Sequence, residues 1–450
     1  MAEIKIKLMI AVAFGVMLNP LNTTMISVAL SRMQDDLQLS FTDVSWLIAT
    51  YYIGSAIGQP IMGSLSDRFG RKRFFLMGLF LVALASFLAP LSPNLGCLIV
   101  FRLIQAIGSS MLYPAGMATL RHVITERQAK YFGILSIFSS TSAALGPSIG
   151  GLLISVWDWE ALFFINFPFV ITSFILTFKY FPKDSKNTDR GYKFDVGGII
   201  LFILAITSLL IVLSLKENFH LVWLLVPVVL IFAFYSYEKK QPNAIIDVRS
   251  LVEKTEVTVV YIQYMLVNML FYSLLFGIPT YLQNVHHFQA GVTGLVMLSI
   301  SGFGIIISPL AGMWIDRADS SKPVVLVGAI FAIAGSALLF TIGNVTSPIV
   351  IFLILSILGC SNGLNNIGLQ TALYAVVEPA ETGAASGLFM TSRFLGTIFS
   401  SSILGNVFAK QVTTANFHYI ALAGGIIGIL CLLLAFRMKP IQKYQYNLKA

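Results

Sequence analysis

The chain has 450 residues, 57% hydrophobic and only 11% charged, with a mean hydropathy of +0.84 and a formal net charge of +9. Soluble domains carry roughly 25% charged residues, so a water-soluble fold is excluded and the chain reads as an all-α integral membrane protein. Its basic residues sit in loops beside apolar runs, where they orient a membrane protein, and they call for no nucleic-acid partner.

Lys5 and Lys7 precede an apolar run that is longer than a signal-peptide core and lacks a small-residue cleavage pattern, so it is predicted to stay as the first span. Crossing the hydrocarbon takes about 20 residues, and reading at that length gives fourteen predicted spans: 7–31, 42–64, 74–91, 96–120, 130–155, 160–180, 195–214, 219–237, 255–283, 291–315, 323–343, 348–374, 382–409 and 415–437. An even number puts both ends on one side. With that side cytoplasmic, only Arg32, Lys216 and Lys410 among the loop cations fall outside, as the positive-inside rule requires. The expected location is the cell membrane, multi-pass, with both termini cytoplasmic.

Polar residues inside spans are costly and therefore functional candidates. The first span carries Asn19, Asn22 and Thr23 at helical spacing, and the second carries Tyr52, Ser55 and Gln59. Between the second and third lies Gly63-Ser64-Leu65-Ser66-Asp67-Arg68-Phe69-Gly70-Arg71-Lys72-Arg73. Asp67 contributes nothing to topology, so it is a candidate latch that bridges to a cation or a helix terminus when the inner gate is shut. The fourth span places Arg102, Gln105, Ser109 and Tyr113 on one helical face. At 1.5 Å per residue, Asn22 lies roughly 22 Å from the inner end of its span and Arg102 roughly 9 Å from the outer end of its own, so the two can be neighbours.

In the fifth span, Gly146-Pro147-Ser148-Ile149-Gly150-Gly151 combines a helix-kinking proline with glycines that permit close approach; the plainer alternative is an ordinary kinked packing seam. Lys183 to Arg190 forms a polar linker, and Glu238 to Lys254 leads into the ninth span, which offers Tyr261, Tyr264, Asn268 and Tyr272. Gly312-Met313-Trp314-Ile315-Asp316-Arg317 then repeats the Gly-x-x-x-Asp-Arg phrase after the tenth span. The twelfth offers Asn362, Asn365, Asn366 and Gln370, and the thirteenth carries Arg393, which has no obvious acidic partner. Amide and aromatic groups suit a pocket for varied amphipathic or cationic compounds, though any single amide can equally serve to glue helices together.

The repeated phrase divides the spans as 6+2+6: residues 1–181 form one six-helix bundle, 182–254 a linker with two inserted helices, and 255–450 a second bundle and a cytoplasmic tail. Duplicated bundles in membranes are typical of alternating-access transporters.

The residues resemble the major facilitator superfamily, specifically its fourteen-span drug:proton antiporter branch, and within it staphylococcal multidrug efflux pumps. The loop from Gly63 to Arg73 is similar to the superfamily's signature loop. Arg102-Leu103-Ile104-Gln105-Ala106-Ile107-Gly108 resembles its Arg-x-x-Gln-Gly-x-Gly phrase with Ala106 in place of glycine, Gly146 to Gly151 resembles the antiporter signature, and Phe194 to Gly198 resembles the start of the extra helix pair. The resemblance implies proton-coupled export of drugs, a role in antibiotic resistance, and gating by Gly63, Asp67, Arg68, Gly70, Arg71, Gly146, Pro147, Gly150, Gly151, Asp316 and Arg317. The main departure is Leu21-Asn22-Thr23-Thr24, where the family has a proton-exchanging aspartate at the position of Asn22.

With no carboxylate in mid-membrane, the expected proton carriers are at the outer ends of the spans. Glu160 is preferred, with Asp158 and Asp43 as alternatives and Asn22 and Arg102 as the neighbouring framework; a solvated acid at a helix N-terminus is the competing account of Glu160. The expected substrate contacts are Asn19, Tyr52, Gln59, Gln105, Ser109, Tyr113, Tyr264, Asn268, Tyr272, Asn362, Asn366 and Gln370. No metal-ligand spacing, nucleophile elbow or phosphate loop is present, so no enzyme activity, cofactor or metal is expected. The expected partners are small-molecule drugs, protons and the bilayer, with the chain a monomer. A proton-independent facilitator, or an exporter of a metabolite, peptide or lipid, is the rival reading.

Overall fold

A computed structural model of the chain describes residues 2–38, 41–184, 195–214, 221–242, 244–343, 345–408 and 411–438. The helices are α1 Ala2–Leu37, α2 Phe41–Phe69, α3 Arg71–Leu88, α4 Leu95–Val123, α5 Gln128–Trp157, α6 Ala161–Phe164, α7 Asn166–Tyr180, α8 Val196–Ser214, α9 Leu225–Glu238, α10 Val248–Glu253, α11 Thr255–Asn284, α12 Ala290–Ala318, α13 Lys322–Leu339, α14 Pro348–Val376, α15 Thr382–Val407 and α16 Thr414–Arg437. Among the described residues, nine helical stretches are long and apolar enough to cross a membrane. The longer helices α2, α5 and α15 pack in the same bundles, and α8 and α9 form a shorter apolar pair. Phe80, Phe87, Phe178, Phe232 and Leu353 stand exposed on the outside, an apolar exterior that water would disfavour and lipid accepts.

The pairings in the first half recur in the second. α1 packs on α5 and α7 as α11 packs on α15 and α16, and α2 and α3 pack on α4 as α12 and α13 pack on α14. Small residues let these crossings close. A Cβ on Gly78 would sit 2.6 Å from the Gly108 carbonyl oxygen, and one on Gly363 would sit 2.7 Å from that of Gly304. The halves meet along two seams, α2 with α15 and α5 with α12. α8 lies across the first of these, touching both α2 and α15.

Two features were not expected from the sequence. The sixth predicted span is interrupted near Ile165, where α6 gives way to α7. α10 is a short extra helix capped by Asp247, whose carboxylate accepts from the backbone N–H groups of Arg249 and Ser250. Predicted positions in 185–194 and 439–450 lie outside the described residues.

Candidate functional site

A cavity of about 1700 Å³ lies between the halves. Eight of the twelve expected substrate contacts line it: Tyr52, Tyr113, Tyr264, Asn268, Tyr272, Asn362, Asn366 and Gln370. The Gln370 amide donates to the Tyr113 hydroxyl, a contact between the two halves, and Tyr264 stacks on Phe389 with ring centroids 3.6 Å apart. Trp46, Gln283, Gly291 and Asn406 also line it. These residues sit at the helix ends opposite those that carry Asp67 and Asp316, so the cavity is open away from the face that bears the described ends of α1 and α16.

The remaining four expected contacts do not reach it. Asn19 donates to Ser55 and Ser109, Gln59 is buried beside α15, and Gln105 donates to Asn22 and Ser86. The side chains of Asn19, Gln105 and Ser109 bond within the first half, while Gln59 is buried against the seam with no hydrogen bond to its Oε1 among the described residues. Asn365, on the same helix as the cavity-lining Asn362 and Asn366, is likewise buried against Gly328.

Around Asn22 the first half contains a buried polar network. The Asn22 carboxamide exchanges hydrogen bonds with Asn166 at 2.9 and 3.0 Å, and its Oδ1 also accepts from Gln105 at 3.2 Å. Arg102, 1% exposed, donates to Gln105 at 2.7 Å and to the Asn22 carbonyl at 3.4 Å, and its guanidinium carbon lies 4.3 Å from the centroid of the Tyr51 ring. Every partner is neutral. The sequence reading missed Tyr51, Ser86 and Asn166. Asn166 was detectable as a lone amide in an apolar span, and Tyr51 adjoins a residue that was chosen.

The acidic candidates are scattered. Asp158 is held by Arg32 through three hydrogen bonds of 2.5–2.9 Å, which keeps its carboxyl below the usual range. Glu160 is half-buried just before α6, and the Arg102 hydrogen bonds go instead to Gln105 and the Asn22 carbonyl. The Asp43 side chain lies outside the described residues.

The opposite end of the cavity is shut by two matching clasps. Asp67 Oδ2 accepts from the Ala384 N–H at 3.0 Å, and Asp316 Oδ2 accepts from the Lys130 N–H at 3.1 Å. Each carboxylate therefore meets the N-terminal turn of a helix from the other half, where the partial positive charge of the dipole lies. The seams are tight here because Gly63 meets the backbone of Gly383, and Gly312 that of Ala129, with no room for a Cβ at either glycine.

Arg71 ties the first clasp together, donating to Asp67 at 2.9 and 3.1 Å and to the Pro379 carbonyl at 2.6 Å. Gly70 adopts φ +112°, and its missing side chain leaves space for Asp184, which caps α3 through Lys72 and Arg73 N–H. Arg68 donates to the Ala244 carbonyl at 3.0 Å. Burial pushes the Asp67 carboxyl up to about 6 even though Arg71 opposes the shift; the residue lies beyond the apolar part of α2.

Arg121, not singled out from the sequence, adds a cross-half contact. It donates to the carbonyls of Tyr374, Val377 and Glu378 and to the Thr382 hydroxyl. A cation in the last turn of α4 was the available signal. Arg317 is exposed.

The fifth-span motif divides. Gly146 packs against Thr24 of α1 with no space for a Cβ, whereas Gly151 is exposed with nothing within 4 Å of a Cβ and is not a point of close approach. Gly150 is buried, and the Pro147 side chain lies outside the described residues.

Residues 12–401 match the family model described as Major Facilitator Superfamily. The chain is 44% identical over 439 residues to the uncharacterized MFS-type transporter YwoD of Bacillus subtilis (strain 168), covering 96% of this chain and 97% of that one. It is 27% identical to multidrug resistance protein Stp of Mycobacterium tuberculosis (strain CDC 1551 / Oshkosh), covering 90% of this chain and 76% of Stp. The solved structure of the proton:xylose symporter XylE, bound to 6-bromo-6-deoxy-D-glucose, superposes with a TM-score of 0.70 at 15% identity, over 98% of this chain and 97% of that one. At that identity the likeness is one of fold alone.

Proposed function

This chain belongs to the Major Facilitator Superfamily and is a transporter, not an enzyme, and on that premise we propose that it exports amphipathic or cationic small molecules from the cell in exchange for protons. In this reading fourteen spans cross the cell membrane as 6+2+6, both termini are cytoplasmic, and the halves 1–181 and 255–450 rock about the cavity as a monomer. The observation that carries it is the cavity itself: aromatic and amide groups from both halves surround about 1700 Å³ that is closed at one end by the Asp67 and Asp316 clasps. With the termini inside, this is the outward-facing state, from which cargo leaves. The likeness to a multidrug resistance protein supports efflux of drugs.

Coupling is assigned to the outer-end group of Asn22, Arg102, Asp43, Asp158 and Glu160. The contact between Arg102 and the Asn22 backbone supports treating these two as a unit. Asp158 is already committed to Arg32, which leaves the half-buried Glu160 as the preferred carrier. One observation favours the second reading, a transporter without proton coupling: among the described residues lining the cavity there is no Asp or Glu.

Proteoliposomes with an imposed pH gradient separate the two. Under the antiport reading, an acid-outside gradient drives uphill movement of a cationic dye or a fluoroquinolone, and Glu160→Gln abolishes the uphill component while binding persists. Gradient-independent equilibration in the wild type would instead select the facilitator.

A further inference from the structure

The two intramembrane arginines occupy opposite situations. Arg102 is closed off, with its guanidinium stacked on Tyr51 and bonded to Gln105 and the Asn22 carbonyl. Arg393 lines the cavity and is only partly buried. It donates to one oxygen, the Tyr272 hydroxyl, from Nε at 3.1 Å and Nη2 at 2.6 Å. A guanidinium has five N–H donors. Two converge on Tyr272, and the described residues supply no acceptor for the remaining three. Tyr272 accepts both bonds, so its own hydroxyl hydrogen is free to donate in turn.

Arg393 is also the one charged side chain among the described residues lining the cavity. A cation held at membrane depth without a carboxylate is costly and is a functional candidate for that reason. The walls around it are aromatic, apolar, amide and hydroxyl, and among the described lining residues none is an anion.

We infer that Arg393, with the Tyr272 hydroxyl beside it, is the binding site for an anionic group on the transported molecule, so that the preferred cargo is an aromatic amphiphile bearing a carboxylate or sulfonate. The inference rests on the export reading only for the word cargo; the site stands on geometry. Planar bidentate pairing to an oxyanion matches the free edge of the guanidinium. The rings of Tyr52, Tyr264 and Tyr272 supply the apolar walls for the aromatic body. It also narrows the substrate class: a permanently cationic drug meets like charge here.

The test uses three probes with the same body: pyrenebutyric acid, pyrenebutanol and pyrenebutyl-trimethylammonium. Binding is measured by fluorescence to the full chain in phosphatidylcholine nanodiscs. The acid is expected to bind at least about tenfold more tightly than the alcohol, as a charge-assisted pair should, and the ammonium more weakly than either. Arg393→Gln brings the acid-to-alcohol affinity ratio to about one, and continued saturable binding of the alcohol shows that the cavity is intact; Arg393→Lys keeps part of the preference. Displacement of the acid by phosphatidylglycerol would assign the anion to a lipid headgroup, and no displacement to a free amphiphile; both support the site. Equal binding of acid and alcohol, a preference that survives Arg393→Gln, or binding by none of the three would overturn it. A preference for the acid without pH-driven transport would remove the export reading and leave the anion site standing.

Discussion

The Asp67 carboxylate receives the backbone N–H of Ala384 at 3.0 Å, although 317 residues separate them in the chain. That bond ties the cytoplasm-side end of α2, under the proposed orientation, to the first turn of α15. Breaking it should release the clasp. Asp67→Ala is expected to shift the population toward the state open on that face, seen as a longer distance between spin labels on the neighbouring ends of α3 and α15. An unchanged distance distribution would show that the clasp does not hold the seam.

The same carboxyl gives the clasp a pH dependence of defined sign. Burial raises it to about 6 in the closed state, against an ordinary value near 3.9 for an exposed aspartate. The closed state therefore binds the proton more tightly. Its advantage over the open state is fully present below about pH 4, is lost as pH rises through about 6, and is flat beyond about pH 7. The label distances should report more closed molecules at pH 5 than at pH 7.5, and Asp67→Asn should remove the difference. The opposite ordering in the wild type would refute the burial argument.

Gly63 and Gly312 are matched across the halves, each pressed on backbone of the other half. Gly63→Val and Gly312→Val should each prevent closure on this face and lower transport by at least about tenfold, with surface expression retained. Gly151→Ala, at a glycine facing open space, should leave transport within about twofold. Normal transport by either valine variant would mean that the seam need not close.

Asn22→Asp places a carboxylate where Gln105 and Asn166 now donate and where the Arg102 guanidinium already touches the backbone. The variant should fold, since buried Arg102 gains the anionic neighbour it lacks, and the pH profile of transport should shift. Arg102→Ala leaves the Gln105 Oε1 without its donor in a buried site, at a cost of about 1–3 kcal/mol, so its melting temperature should fall. A profile identical to wild type in Asn22→Asp would separate this network from coupling.

At the end of the α8–α9 pair, Asp195 caps α8 by accepting from the Gly198 N–H at 2.9 Å, and its carboxyl lies buried beside that of Glu238, which burial first and the Asp195 charge second raise to about 8. Two such carboxyls are accommodated together only when one holds a proton. Glu238→Gln should therefore raise the melting temperature by ~2 °C or more at pH 7.5 and by less at pH 5. A loss of stability at both pH values would show that the charge on Glu238 is wanted.

The Asp67 contact was legible because an acid that does nothing for topology, four residues after a glycine and in a phrase that recurs, points to a bridge. Asp316 lacks the basic run that follows Asp67, yet its carboxylate makes the same bond. Arg102, Gln105 and Ser109 were correctly placed on one face of a helix, but periodicity says which residues share a face and is silent on whether that face meets water or another helix. The answer lay in partners on other spans, Tyr51, Ser86 and Asn166, that no spacing rule links to them. Arg121 was missed because three of its four acceptors are backbone carbonyls, which leave no trace in side-chain identity.

The placement of α8 breaks the twofold likeness of the halves. It covers the α2–α15 seam and sends Ile211 to the cavity wall, while the α5–α12 seam has no comparable helix over it among the described residues. Under the proposed export reading, a greasy solute dissolved in the leaflet would meet one curtained side and one bare side, and lateral admission from the lipid would be directional.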